Sequence, residues 1–286
     1  MRSPRSNVLG MVLLLAAVLL VQVGRAGAGW ERLFAPKADL WPRWQQQNPA
    51  DGRTIDHRAW DAFLKRYLDT KHPSGINRMN YGAVTVEDRR SLEEYLRRLE
   101  ATPISTYNRR EQLAYWINTY NALTVSVVLN HYPVSSIRKI KLPPGLFTLG
   151  PWAAKLIIVE GEEVSLNDVE HRILRPIWRD PRIHYGINCA SLGCPNLAGM
   201  AYTGENVDRL LTENAIAFIN HPRAVSFRDE RLVISSIYDW FEEDFGGSRV
   251  GVLAHLAHYA RPDLANQLKT YDGPVDYHYE WGLNQP

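Results

Sequence analysis

Residues 182–197, RIHYGINCASLGCPNL, hold both cysteines of the chain, Cys189 and Cys194. Two thiols with four residues between them admit three chemistries. They could close a disulfide, since a turn brings Cα atoms within the ~4.4–6.8 Å such a bond needs; so short a loop would contribute only ~2 kcal/mol. They could supply half of a zinc site, with His171 and His184 as the other ligands, although this spacing lies at the wide limit for zinc. Or one could be a nucleophile, which needs a thiolate, a base, a group to orient that base, and donors for an oxyanion.

For the third chemistry the residues divide as follows. Cys189 follows an expected strand and is the candidate nucleophile. His171 is the candidate base and His184 its competitor. Asn188 and Asn118 are candidate oxyanion donors, and Cys194 would act as a guard or resolving thiol. Adjacent helical residues point about 100° apart, so Glu170 is better placed to meet a substrate amine, Arg172, Arg175 or Arg182 than to orient His171. Asn118 and Asn121 share one face of an apolar helix. Buried amides must be hydrogen-bonded, so bracing the cysteine loop is their plainer role. Arg172, Arg175 and Arg179 could hold an anionic substrate, but a solvated face is the more common explanation. Tyr277, Tyr279 and Trp281 alternate as in a half-buried strand, by packing or as a groove for sugar or peptide.

Helical periodicity predicts the elements that position these groups. Residues 56–69, 86–100 and 203–220 read as amphipathic helices. Residues 108–133 read as a helix apolar nearly all round, hence central and buried. Residues 156–166 form two strands about Glu160–Gly161. Ser165 with Asp168 makes a capping box for a helix that Pro176 should end. Residues 182–188 read as a strand with His184, Gly186 and Asn188 on one face. A hairpin over 224–235 turns at Asp229–Glu230, a short helix stops at Gly246–Gly247, another covers 249–260, and the tail is an edge-like strand. The expected class is α+β: one mostly helical domain over 56–286, with a small sheet built from hairpins and scattered strands. Residues 29–55 form an approach segment without clean periodicity.

The first residues suggest export. Arg2 and Arg5 precede an apolar run from Met11 to Val23 that is too short to span a bilayer, and Ala26 and Ala28 offer a cleavage site. Loss of residues 1–28 takes three of the 33 basic residues and none of the 31 acidic ones, leaving 258 residues of formal charge −1. The expected location is therefore periplasmic or secreted. A near-neutral chain gives no reason to expect a nucleic-acid partner, and no later run is long enough to expect a membrane partner after signal removal. A core of this size needs no disulfide to fold.

AYWINTYNALTV, LNDVEHRILR, DPRIHYGINCASLGCPNL and YHYEWGLN together resemble the domain of unknown function 547 family, over about residues 56–284. The resemblance implies an α+β domain, secreted or cytoplasmic. The helix Asn pair, the Glu-His pair and the two-cysteine loop are the features it recognises, and it brings no catalytic assignment. From the residues themselves, one expectation is a thiol-dependent hydrolase or acyl transferase acting on peptide or amide bonds, with Cys189 attacking and no cofactor. Its rival is a non-catalytic exported module that binds a small molecule or peptide, its loop held by a Cys189–Cys194 bridge or by a zinc ion on Cys189, Cys194, His171 and His184.

Overall fold

The computed structural model describes residues 35–143 and 150–286; the expected signal peptide and Trp30 lie outside them. Helix α1, Arg58–Tyr67, and helix α2, Val86–Glu100, pack beside helix α3, Arg109–His131. Asn108 caps α3 by accepting from the N–H groups of Arg110 and Glu111. From Glu111 to Val125 every α3 residue is buried, as its all-round apolar pattern predicts. Most of the polar ones find partners, Gln112 Nε2 donating to the carbonyls of Gln46 and Ile104 and Glu111 accepting from Ile55 and Gly204, whereas Thr124 Oγ1 has none. The approach segment joins this core, Trp44 packing edge-on against Trp116 at 5.0 Å.

Strands β1, Lys155–Val159, and β2, Glu162–Ser165, form the first expected hairpin, with Glu160 and Gly161 both at positive φ. Strands β3, Val225–Arg228, and β4, Arg231–Ser235, form the second, turning at Asp229 and Glu230. The tail strand β5, Val275–His278, adds to β4 in parallel, as the outer strand of a three-stranded sheet. Strands are few and helices dominate, so the class is α+β.

Three local expectations are corrected. The helix after the capping box is a π-helix over Asp168–Leu174, continued as an α-turn over Arg175–Trp178; together they are α4. The box itself forms, Asp168 N–H donating to Ser165 Oγ and Ser165 N–H to Asp168 Oδ2. Pro176 does not end this helix. Its missing N–H falls where the helical register changes, and the chain stops instead at Arg179, which is left-handed with φ 53°. Residues 182–188 are not a strand: Ile183–Gly186 form one helical turn, α5, started by Asp180, which accepts from the N–H groups of Arg182 and Ile183. All four residues of that turn are buried, so the alternation of residue types marked no inner and outer face.

Helix α6, Val207–Ile219, and the short helix α7, Ile237–Trp240, follow the expected pattern, and Gly246 closes the turn after α7 at φ 103°. Helix α8, Arg249–Tyr259, is also as expected, whereas helix α9, Pro262–Thr270, escaped the sequence reading. Two apolar cores result. The larger surrounds α3 and includes Ile183; the smaller lies between the C-terminal sheet and α6–α9 and includes Tyr185. His184 therefore sits on the seam between them.

Candidate functional site

The residues singled out by chemistry separate into two knots. The first is the cysteine loop, seated by asparagines. Asn121 Nδ2 donates to Gly186 O at 2.9 Å and its Oδ1 accepts from Asn188 N–H at 2.8 Å, imitating one rung of a sheet. Asn118 does the same to Tyr202, donating at 2.7 Å and accepting at 3.0 Å. Asn188 in turn donates to Pro195 O and accepts from Ala190 N–H, pinning both ends of the loop. All three amides are buried with these partners. They brace the backbone, and the oxyanion role expected of Asn118 and Asn188 is not what their geometry provides.

The C-terminal tail closes over the loop. Leu192 and Gly193 donate N–H groups to Gly282 O and Glu280 O, and Asn284 N–H returns to Ala190 O. Gly193 is required by this approach, since a Cβ there would meet Glu280 N at 2.8 Å and the Tyr279 ring at 2.9 Å. Ala190 takes a left-handed φ of 60° to turn the chain between the thiols.

Both cysteines are free thiols, Cys194 buried and Cys189 reaching the surface in part. Cys189 N–H donates to Cys194 Sγ at 3.0 Å. Tyr279 Oη stands 3.1 Å from Cys189 Sγ and 3.2 Å from Cys194 Sγ, and Ser191 Oγ stands 3.2 Å from Cys189 Sγ. Burial pushes both thiols up. For Cys194 the hydrogen bonds from Cys189 and Tyr279 outweigh it and bring the thiol down to about 6. For Cys189 burial and the neighbouring Cys194 charge act together, holding it well above the ordinary value. The pair thus shares one proton, with the negative charge on the inner sulfur. The Arg223 guanidinium lies within electrostatic reach of that charge.

The second knot collects the other expected residues. Arg175, with a side chain only 1% exposed, is an anchor and not an anion clamp on the surface. Its guanidinium donates to Asp244 Oδ2 at 2.5 Å, Glu243 Oε1 at 2.8 Å, Pro36 O at 2.8 Å and His171 Nδ1 at 3.0 Å. His184 Nε2 donates to Asp244 Oδ2 at 2.7 Å, and its ring stacks on Phe241 at 4.6 Å. Burial lowers the affinity of both imidazoles for a second proton, so each is neutral. The hydrogen bonds then assign the tautomers. His171 carries its proton on Nε2, 3.9 Å from Glu170 Oε2, whereas His184 turns an unprotonated Nδ1 to Glu170 Oε1 at 3.8 Å. Both separations exceed a hydrogen bond. Burial raises Asp244, but the His184 hydrogen bond and Arg175 override it and leave the carboxylate ionised. A groove of about 450 Å³ opens at this end, lined by Arg175, Arg179, Asp180, Glu243 and Asp244.

The expected thiol–imidazole pair is therefore not formed. Among the described residues no imidazole is hydrogen-bonded to either sulfur, because His184 left the loop's side of the chain when residues 183–186 coiled and His171 is drawn to Arg175. The same separation keeps Cys189, Cys194, His171 and His184 from converging as metal ligands, and among the described residues no three His, Cys, Asp or Glu side chains are placed to hold a metal ion. Glu170 lies buried between the two imidazoles, and burial raises its carboxyl to about 7, with Arg175 and Tyr120 opposing and Cys194 and Asp244 adding to the rise. Sequence reading missed Ser191, Tyr120, Asp244 and the role of Tyr279. The alternation of the tail aromatics was the one available signal.

An α+β domain with a two-thiol loop braced by asparagines is the class this fold and site define. Residues 104–219 match the model of the family described as protein of unknown function, DUF547, and over that stretch the chain is similar to this family. Every expected site residue falls inside it, whereas Asp244 and Tyr279 lie beyond. Comparison with curated proteins and with solved structures finds no match.

Proposed function

We propose that the loop performs thiol–disulfide exchange on a thiol- or disulfide-bearing small molecule or peptide, in an exported setting in keeping with residues 1–28. The observation that carries this reading is two free thiols in contact, one reaching the surface and one buried behind it. Acyl transfer, the expectation from sequence, wants an imidazole at the nucleophile, and each imidazole here is committed to Asp244 or Arg175.

In the exchange, Cys189 hands its proton to the neighbouring Cys194 thiolate as its own sulfur attacks one sulfur of a substrate disulfide, forming a mixed disulfide and expelling the first substrate thiolate. Cys194 then attacks Cys189 Sγ and expels the second. The substrate gains two electrons and, with two protons, becomes two thiols; the protein holds a Cys189–Cys194 disulfide. The reverse sequence oxidises a substrate dithiol. Tyr279 and the Cys189 N–H hold the charge on the resolving sulfur between turnovers.

Treatment of the reduced protein with a small aromatic disulfide should release two equivalents of aromatic thiol and leave the chain lighter by two hydrogens. Cys194→Ser should stop at a mixed disulfide on Cys189, and Cys189→Ser should react far more slowly. A wild-type chain that keeps both thiols, or a Cys194→Ser chain unlabelled at Cys189, would sink the proposal.

A further inference from the structure

Two guanidiniums, those of Arg223 and Arg78, border the cysteine loop without an acid partner among the described residues. Arg223 reaches the loop directly. Its Nη1 donates to the carbonyl of Leu192, which lies between the thiols in sequence, at 3.2 Å, and its Nη2 to Asn196 Oδ1 at 2.8 Å. Arg78 is joined to the loop through the tail: Met79 N–H donates to Asn284 O at 2.8 Å, and Asn284 N–H to Ala190 O at 3.1 Å. A short turn also ties the two arginines to each other. Ser74 Oγ accepts from Arg78 Nη2, Ser74 O from His221 Nε2 at 2.8 Å, and His221 Nδ1 from the Arg223 N–H at 3.1 Å.

Both side chains are half-buried, and their acceptors are few and neutral. Arg223 has the two oxygens just named, and Arg78 has only Ser74 Oγ and Gln285 O, each at 3.4 Å. The Nε of each is buried with no partner. Two acids from adjoining segments are engaged elsewhere. Asp69, across from Arg78 in strand register, accepts from Lys71 N–H, and Glu280 turns its carboxylate back to Gly282 N–H. By contrast, Arg175 holds both Glu243 and Asp244, and Arg182 holds both Asp180 and Asp208. Burial lowers Arg223 only to about 10, so it is charged at neutral pH. A guanidinium partly withdrawn from water without a counter-ion is destabilised, and a planar carboxylate is the group its paired N–H donors fit.

We propose that Arg78 and Arg223 receive a carboxylate of the exchange substrate, so that the loop acts on acidic thiols and disulfides in preference to neutral or basic ones. The carboxylate meets donors that the two guanidiniums leave unused, while the sulfur it carries is presented to Cys189, the thiol that reaches the surface. This inference rests on the exchange reading above and names its substrate class.

Three symmetrical disulfides of similar size separate charge from reactivity: those of mercaptopropionate, mercaptoethanol and cysteamine, which are anionic, neutral and cationic at about pH 7. The rate of thiol loss from the reduced whole protein is divided, for each, by the rate of the same disulfide with a small free thiol. Wild type should favour the anionic over the cationic disulfide by about tenfold at low ionic strength. Most of that preference should vanish in about 1 M salt, where the screening length falls to about 3 Å. Arg78→Gln should cut the preference to about threefold, Arg78→Lys should restore part of it, and Arg78→Gln combined with Arg223→Gln should abolish it. Arg78 makes no hydrogen bond to the loop, so its effect on the ratio is read without unseating the thiols. Equal normalised rates for the three disulfides, or a preference untouched by both substitutions, overturn the inference and leave the exchange reading intact. No reaction with any of them removes the exchange reading and this inference with it.

Discussion

Asn121→Leu is the sharpest test of how the loop is built. The carboxamide makes two hydrogen bonds, from Nδ2 to Gly186 O and from Asn188 N–H to Oδ1, and the side chain is 1% exposed. Leucine fills similar space but leaves a buried carbonyl and a buried N–H without partners. Each such orphan costs about 1–3 kcal/mol, so the variant should be less stable by about 2–6 kcal/mol before any relief by relaxation. For a chain of this size 1 kcal/mol corresponds to about 2–4 °C in melting temperature, which places the expected fall between about 4 and 24 °C. Scanning calorimetry of reduced protein at one pH reads it. Because Asn188 N–H is one of the orphans and Asn188 holds Pro195 and Ala190, the buried Cys194 should also become open to alkylation below the melting temperature. A melting temperature within 1 or 2 °C of wild type (about 0.5 kcal/mol), with Cys194 still protected, would refute the bracing argument.

Glu170→Gln carries a stability signature set by the burial of its carboxyl. The folded carboxyl keeps its proton up to about 7, where the unfolded one loses it near 4.5, so the native state binds the extra proton between those values and wild-type stability falls as pH rises through that window. The glutamine side chain has no charge to bury; the variant should match wild type at about pH 4 and exceed it above about pH 7.5, by up to about 3 kcal/mol. Equal pH profiles in chemical denaturation would show that the carboxyl ionises freely in the fold. Gly193→Ala places a methyl group 2.8 Å from Glu280 N and 2.9 Å from the Tyr279 ring, so tail or loop must yield. The expected result is a loss of about 1–3 kcal/mol and slower alkylation of the thiols as Tyr279 Oη withdraws; unchanged alkylation would mean the tail does not set thiol chemistry.

How much of this was legible depended on whether the governing forces were local. Helices α1, α2 and α3 were readable because periodic burial and the Asn108 cap are properties of neighbouring residues. Both hairpin turns were readable for the same reason, as was the Ser165–Asp168 box. The bracing role of Asn118 and Asn121 followed from one rule, that amides inside an apolar helix need partners. The turn at 183–186 was misread because its residues are buried on all sides, so no periodic signal separates strand from helix. The π-helix was invisible: it depends on where the backbone of residues 168–175 is pulled, not on the types of those residues. Asp244 and Tyr279 lie 60 and 90 residues from the partners they serve, and no spacing rule reaches so far.

The π-helix explains why the histidines and the cysteines separated. Its wider turn leaves the carbonyls of His171 and Arg172 free to accept from Asp39 and Trp41 N–H groups of the approach segment, and Pro36 O and Ala38 N–H extend the same contact to Arg175 and Glu243. Backbone and guanidinium together fix His171 on the side away from the loop, while Glu170, one residue earlier, is buried between the His171 and His184 rings. A regular α-helix would pair the His171 carbonyl with the Arg175 N–H, though Pro176 could offer nothing to that of Arg172, and would rotate Glu170 and His171 relative to the thiols. The register that strips Cys189 of its expected base is thus held by the approach segment and by Arg175, and thiol chemistry without an imidazole is what this fold leaves open to the loop.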